Sequence, residues 1–253
     1  MKKTLIALMA LAGIASAASI GYDEMTDTQK TDVVAKWTGS QTLTSGSDVY
    51  SDSGTGTSFT ISFDITKINV TSTASNIASF AGSHHEWGWD DGKLFIRMSE
   101  SGSLTLINTN GTSTNSHSSY FDGSTYGNPT VSAYTSDLGL TAAASLTDTT
   151  TFTFVSDAKS KTFTIYKNGT QIDQWTNWNT DTGLIGMQLG GRYGGGTKLA
   201  DGETVEFDNV TIWNKALTAA EVSSIVIAPV PEPTTATLSL LALAGLAARR
   251  RRR

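Results

Sequence analysis

From residue 18 to about residue 228, apolar and polar residues alternate in short runs broken by turn residues. Phe59, Ile61, Phe63 and Ile65 alternate with Thr60, Ser62 and Asp64. A period of two predicts a strand with one buried face. Leu94, Ile96 and Met98 repeat the pattern, as do Leu104 with Leu106, Phe152 with Phe154, and Ile185, Met187 and Leu189. Phe163 to Lys167 and Thr170 to Ile172 are separated by Asn168-Gly169, two residues that accept the positive φ a tight hairpin turn needs. Val205 and Phe207 share one parity, whereas Val210 and Ile212 share the other. That break predicts either a strand buried on both faces or a bulge near Asp208-Asn209. Thr218 and Glu221 make a capping box, so a short helix is expected to begin at Thr218. Many short strands with frequent turns predict an all-β sandwich or barrel.

The two ends follow different rules. Lys2 and Lys3 precede an apolar run from Leu5 to Ile14, and Ala15-Ser16-Ala17 offers small residues for cleavage. This is the layout of a secretory signal peptide over residues 1–17, read by signal peptidase, with cleavage expected after Ala17 or Ala18. At the other end, Pro229, Pro231 and Pro233 force an extended segment. Thr234 to Ala248 is apolar but short of the roughly 20 residues that span a bilayer comfortably. Arg249, Arg250, Arg251, Arg252 and Arg253 then form a positive flank, which stays cytoplasmic and orients the body outward.

Composition sharpens the picture. The chain has 253 residues and no Cys, which rules out disulfides, thiol nucleophiles and Cys-based zinc sites. An exported domain without staples must rely on its core, and roughly 200 residues suffice for one. The formal net charge is -5, but seven of the 18 basic residues sit at the two ends, so the body is strongly acidic. Such a body repels phosphates and argues against nucleic acid as a partner.

Two resemblances emerge from these motifs. Val230-Pro231-Glu232-Pro233, the apolar stretch and the arginine cluster resemble the PEP-CTERM sorting signal of Gram-negative bacteria, over residues 229–253. That resemblance implies recognition of Pro231, Glu232 and Pro233 by an exosortase-type processing enzyme, with a C-terminal hydrophobic helix holding the chain transiently in the inner membrane. It also implies an association with exopolysaccharide. Glu206 to Val222, with the strand Asp208-Asn209-Val210-Thr211-Ile212-Trp213-Asn214 leading to Ala216-Leu217-Thr218-Ala219-Ala220-Glu221, resembles the closing motif of LamG-like, concanavalin-type domains. Phe163 to Gly169 resembles the hairpin of that family, and Phe59 to Ile65 with Ile77 to Phe80 its opening strands. The implied fold is a two-sheet antiparallel jelly-roll sandwich over residues 18–228, between an N-terminal signal helix and the tail.

The candidate chemistry is sparse. Glu206 and Asp208 point to one face of their strand. Jelly-roll glycoside hydrolases of the laminarinase type add a further Glu just beyond such a pair, and here Val210 and Thr211 hold those positions. Retaining hydrolysis needs a nucleophile and a separate acid/base, so no catalytic residue and no enzyme activity is expected. Ser83 to Gly92 gathers His84, His85, Glu86, Asp90 and Asp91 without a metal-binding spacing, and reads as a hydrated loop. The chain is expected to need no cofactor; if it binds calcium, Asp90, Asp91 and Asp208 are the candidate ligands. Trp175, Trp178 and Tyr193 are candidates for stacking on sugar rings, against core or edge packing. The Gly190 to Gly196 run lacks the Lys and Ser/Thr of a phosphate cradle and reads as a loop. The expectation is an exported envelope or extracellular-matrix protein, non-catalytic, carbohydrate-binding or adhesive. The alternatives are a glycoside hydrolase with an unrecognised site and a calcium-dependent adhesin.

Overall fold

The computed structural model describes residues 18–51, 55–71, 76–83, 93–99, 103–108, 135–138, 149–176, 183–191 and 199–227. Strands are numbered β1 to β15 in chain order. The first sheet runs β12 (Thr170–Thr176), β11 (Thr162–Lys167), β10 (Thr150–Asp157), β5 (Phe59–Asn69), β14 (Thr204–Trp213) and β2 (Val33–Trp37), with β3 (Gln41–Leu43) also on β14. The second runs β4 (Ser47–Ser51), β13 (Leu184–Leu189), β6 (Asn76–Ser83), β7 (Lys93–Ser99), β8 (Ser103–Asn108) and β9 (Thr135–Asp137). β1 (Ala18–Ser19) pairs with β15 (Val226–Ile227). Every pair is antiparallel, and the chain passes repeatedly from one sheet to the other. The fold is the two-sheet antiparallel jelly-roll sandwich that the LamG-like resemblance implied, one of the two all-β classes that the alternation and turn spacing allowed.

The alternation explains the core between the sheets. Phe63 lies at its middle, with ring centroids 5.7 Å from Phe207, 5.8 Å from Phe154 and 6.3 Å from both Phe80 and Phe152. Phe80 reaches in from β6 of the second sheet, with Ile77, Met98, Leu104, Met187 and Leu189 around it. These tilted and edge contacts are the arrangements that aromatic quadrupoles favour.

The expectation of one buried face for Phe59 to Ile65 needs correction. All seven residues from Phe59 to Ile65 are buried, Thr60, Ser62 and Asp64 included. The outer face of the first sheet is covered by the two ends of the domain. A 3-10 turn at Tyr22–Glu24 and a short helix α1 (Asp27–Lys30) come from one end, and helix α2 (Ala219–Ser224) comes from the other. Together they bury a second apolar cluster of Met25, Val155, Tyr166, Trp213, Leu217, Val222 and Ile225. Because small polar side chains keep hydrogen-bonding beneath this cover, the period-two pattern did not reveal it. Ser62 Oγ and Thr153 Oγ1 pair at 3.0 Å, and Thr60 Oγ1 donates to the Lys215 carbonyl at 2.8 Å while accepting from the Leu217 amide at 2.9 Å.

The broken rhythm of β14 has both proposed causes. Its register against β5 shifts between Asp208 and Thr211, and Asn209 takes φ 50°, the left-handed conformation that Asn tolerates. Beyond the bulge, Val210 and Ile212 enter the main core, while Thr211 and Trp213 are buried on the other face. Asn168 and Gly169 adopt φ 52° and 75° and close the β11–β12 hairpin. Thr218 caps α2 by accepting the Glu221 amide at 3.3 Å, while the Glu221 carboxylate accepts the Thr218 amide at 2.7 Å, as the sequence predicted.

Candidate functional site

Three groups of residues were singled out by sequence, and the fold treats them differently. The sorting residues Pro231, Glu232 and Pro233 and the arginines Arg249 to Arg253 lie outside the described residues. So does the apolar stretch between them; among the described residues no helix is long and apolar enough to cross a membrane. The compact body spans Ala17–Ile227 and brings its own two ends together, because Ala18 pairs with Ile227 and Ser19 with Val226.

Glu206 and Asp208 do share a face of β14, both half-buried, opposite the inward Val205 and Phe207. Glu206 accepts the Ser40 hydroxyl at 2.5 Å. Asp208 accepts the amide of Asn209 at 2.7 Å and stands in register with Asp64 on β5. Val210 and Thr211 follow the pair and are both buried, and neither carries a carboxylate. Asp90, Asp91 and the loop His84 to Gly92 lie outside the described residues. Among the described residues no three His, Cys, Asp or Glu side chains converge as metal ligands would.

Asp64 is the buried carboxylate that sequence reasoning missed. It is 0% exposed and is held against β1. Its two oxygens each lie 3.0 Å from the Ser19 nitrogen; Thr151 Oγ1 donates at 2.6 Å and Asn209 Nδ2 at 3.0 Å. Burial pushes its pKa above the ordinary carboxylate value, outweighing the lowering by hydrogen bonds from Thr151, Asn209 and Ser19. The Asn209 amide also donates to the Ser19 carbonyl at 3.1 Å, so the β14 bulge grips the N-terminal strand and the carboxylate at once.

Trp175 must be withdrawn from the sugar-stacking candidates. It is 3% exposed, stacks on Phe163 with centroids 4.9 Å apart, and donates from Nε1 to Ser136 Oγ at 2.8 Å. Ser136 Oγ in turn donates to Asp173 at 2.5 Å, and Lys167 Nζ donates to the Leu138 carbonyl at 2.9 Å. These contacts latch β9 of one sheet to β11 and β12 of the other and close one side of the sandwich. Trp178 and Tyr193 lie outside the described residues.

A cavity of about 280 Å³ opens beside α2, lined by residues that include Gln29, Trp213, Lys215, Glu221 and Ser224. Its polar groups already serve the fold. Gln29 Nε2 donates to the Ser224 carbonyl at 3.1 Å, Lys215 pairs with Glu221 at 3.3 Å, and Glu221 caps α2. Trp213 Nε1 donates to the Gln29 carbonyl at 2.7 Å, which ties α1 to the sheet.

Residues 229–253 match the family described as the PEP-CTERM protein-sorting motif. The tail therefore marks an exported, envelope-sorted protein and implies processing by an exosortase-type enzyme. No curated protein matches the sequence. Among solved structures, the NanB sialidase of Streptococcus pneumoniae is 22% identical with a TM-score of 0.46, over 80% of this chain and 29% of that one. The CBM40 of the Ruminococcus gnavus IT-sialidase, bound to α2,3 sialyllactose, is 14% identical with a TM-score of 0.43, over 76% of this chain and 98% of that one. A leech intramolecular trans-sialidase is 17% identical with a TM-score of 0.44, over 76% of this chain and 27% of that one. The chain thus spans less than a third of the NanB sialidase it resembles.

Proposed function

We propose that the jelly-roll body is displayed, without catalytic activity, at the envelope or in the extracellular matrix of a Gram-negative bacterium. In this reading Thr234 to Ala248 holds the chain transiently in the inner membrane until an exosortase-type enzyme removes the tail. The observation that carries the reading is the sorting motif at residues 229–253, which begins just after β15 ends at Ile227. The non-catalytic part is supported by the site geometry. Glu206 and Asp208 are engaged by Ser40 and Asn209, and buried Val210 and Thr211 stand where a further acid would be needed. Within this reading, Trp178 and Tyr193 are the rings left for stacking on neutral sugars.

The test is fractionation of an exosortase-bearing host with mass spectrometry of the surface and released protein. The expected C-terminus lies within or before Pro231-Glu232-Pro233. Arg253 intact on all mature protein would refute processing. A glycan array on the mature protein checks the binding part, which predicts retention that falls on Trp178→Ala. Turnover of any polysaccharide that disappears with Glu206→Ala would overturn the non-catalytic reading.

A further inference from the structure

We propose that signal peptidase cuts between Ala18 and Ser19, and that the new α-ammonium of Ser19 becomes the buried partner of Asp64. The inference rests on the export reading above and adds to it a defined processing point and a structural role for the product. Both Ala17 and Ala18 satisfy the small-residue requirement, with Ala15 or Ser16 two positions earlier. Sequence alone does not choose between them, but the fold does.

The choice follows from the geometry at Asp64. Both carboxylate oxygens lie 3.0 Å from the Ser19 nitrogen. A peptide amide must share its single hydrogen between the two oxygens. An ammonium carries three hydrogens and can give one to each oxygen. Asp64 is also a carboxylate with no exposure, and among the described residues no basic side chain pairs with it. Its remaining donors, Thr151 Oγ1 and Asn209 Nδ2, are neutral. Buried charges without a counter-ion are costly, and the site has the shape of one that awaits a cation at the Ser19 nitrogen.

Hydrolysis supplies that cation. Water adds across the Ala18–Ser19 peptide bond; the Ala18 carbonyl carbon keeps the hydroxyl oxygen as a carboxylate on the departing signal peptide, and the Ser19 nitrogen takes up protons to become an ammonium. The cut removes the Ala18–Ile227 pair but retains Ser19 opposite Val226 and the Ile20 amide bonded to the Ile225 carbonyl at 2.7 Å. Asn209 Nδ2 still holds the Ser19 carbonyl. Cleavage thus converts a buried carboxylate held only by neutral donors into an ion pair.

The experiment is export of the full chain from a host with signal peptidase, followed by mass spectrometry of the N-terminal peptide. Ser19 is the expected first residue. Ala18 or Met1 as the main first residue would overturn this proposal and leave export intact, whereas protein confined to the cytoplasm would sink the export reading itself. A second measurement needs no variant. Native protein treated with an amine-acetylating reagent is expected to label its surface lysines and to lose nearly all reactivity at the Ser19 amine until it is unfolded. A Ser19 amine that reacts in the native state would refute the buried pair. The acid limb gives a third readout. With a peptide amide at Ser19, Asp64 stays raised and its protonation on acidification stabilises the fold. With an ammonium there, its pKa falls below the ordinary value and acidification destabilises. The melting-temperature difference between wild type and Asp64→Asn should therefore shrink as pH falls below about 4; growth of that difference as pH falls from neutral towards about 4 would count against the ammonium.

Discussion

Asn209 is the residue whose replacement separates two physical contributions most cleanly. It holds φ 50° at the β14 bulge, and its amide donates to the Asp64 carboxylate at 3.0 Å and to the Ser19 carbonyl at 3.1 Å. A hydrogen bond to a charged group contributes about 1.5–3 kcal/mol and one between neutral groups about 1 kcal/mol. Asn209→Gly keeps the left-handed backbone and loses both bonds, for a cost of about 3 kcal/mol. Asn209→Ala loses the same bonds and adds the strain of a Cβ in that conformation, on the order of 1 kcal/mol more. For a body of this size 1 kcal/mol moves the melting temperature by roughly 2–4 °C, so the Gly variant should melt about 6–12 °C lower. Urea unfolding of the mature protein, followed by tryptophan fluorescence, measures both variants. Buried Trp213 and Trp175 report the loss of packing. An Asn209→Gly variant as stable as wild type would refute the grip on Asp64 and Ser19. An Ala variant as stable as the Gly variant would refute the strained bulge.

Other expectations follow from the same contacts. Phe63→Ala opens a cavity among four aromatic rings and should cost about 3–5 kcal/mol by denaturant titration. Trp175→Phe keeps the stack on Phe163 but drops the bond to Ser136, and should cost about 1 kcal/mol without changing any glycan retention. Thr218→Ala should cost about 1 kcal/mol by uncapping α2. The Glu221 carboxyl lies below its ordinary 4.5, held down first by the Thr218 amide and then by the Thr218 hydroxyl and Lys215. Its folded value is thus depressed, so its contribution is complete above the unfolded value and is lost as pH falls through the folded one. Glu221→Gln should flatten that acid limb slightly, since the pair is partly exposed and screened.

What was legible in the sequence was local. The Asn168-Gly169 turn, the Thr218–Glu221 capping box and the parity change around Asp208-Asn209 each involve residues within a few positions of one another, and each appears as predicted. Asp64 was not legible, because its donors come from 45, 87 and 145 residues away along the chain. Nothing in the alternation of β5 distinguishes a polar face turned to water from one covered by the two ends of the domain. Trp175 shows a subtler failure. Counting back from the tight turn places Gln174 opposite Phe163, which would turn Trp175 away from the core. A register shift between Ile165 and Tyr166 inserts one residue into β12, Trp175 moves opposite Phe163, and Ile172 is left 40% exposed. A single-residue slip exchanges the two faces of a strand, and no composition signal announces it.

The way the outer face is closed also bears on when this domain can fold. β1 and β15 lie at opposite ends of the body and must meet before either is paired. Asp64, Thr151 and Asn209 sit on three different strands, and their network is complete only when the N-terminal strand covers it. Closing so long a loop has an entropic cost that only late contacts repay, so the outer face is expected to assemble last. Until then the polar row of β5 and β10 is wet and the second apolar cluster has no cover. An export route that moves an unfolded chain benefits from that order. The same pairing that finishes the fold requires residues adjoining both processing signals, and so the domain reaches its full stability only once its whole length has been delivered.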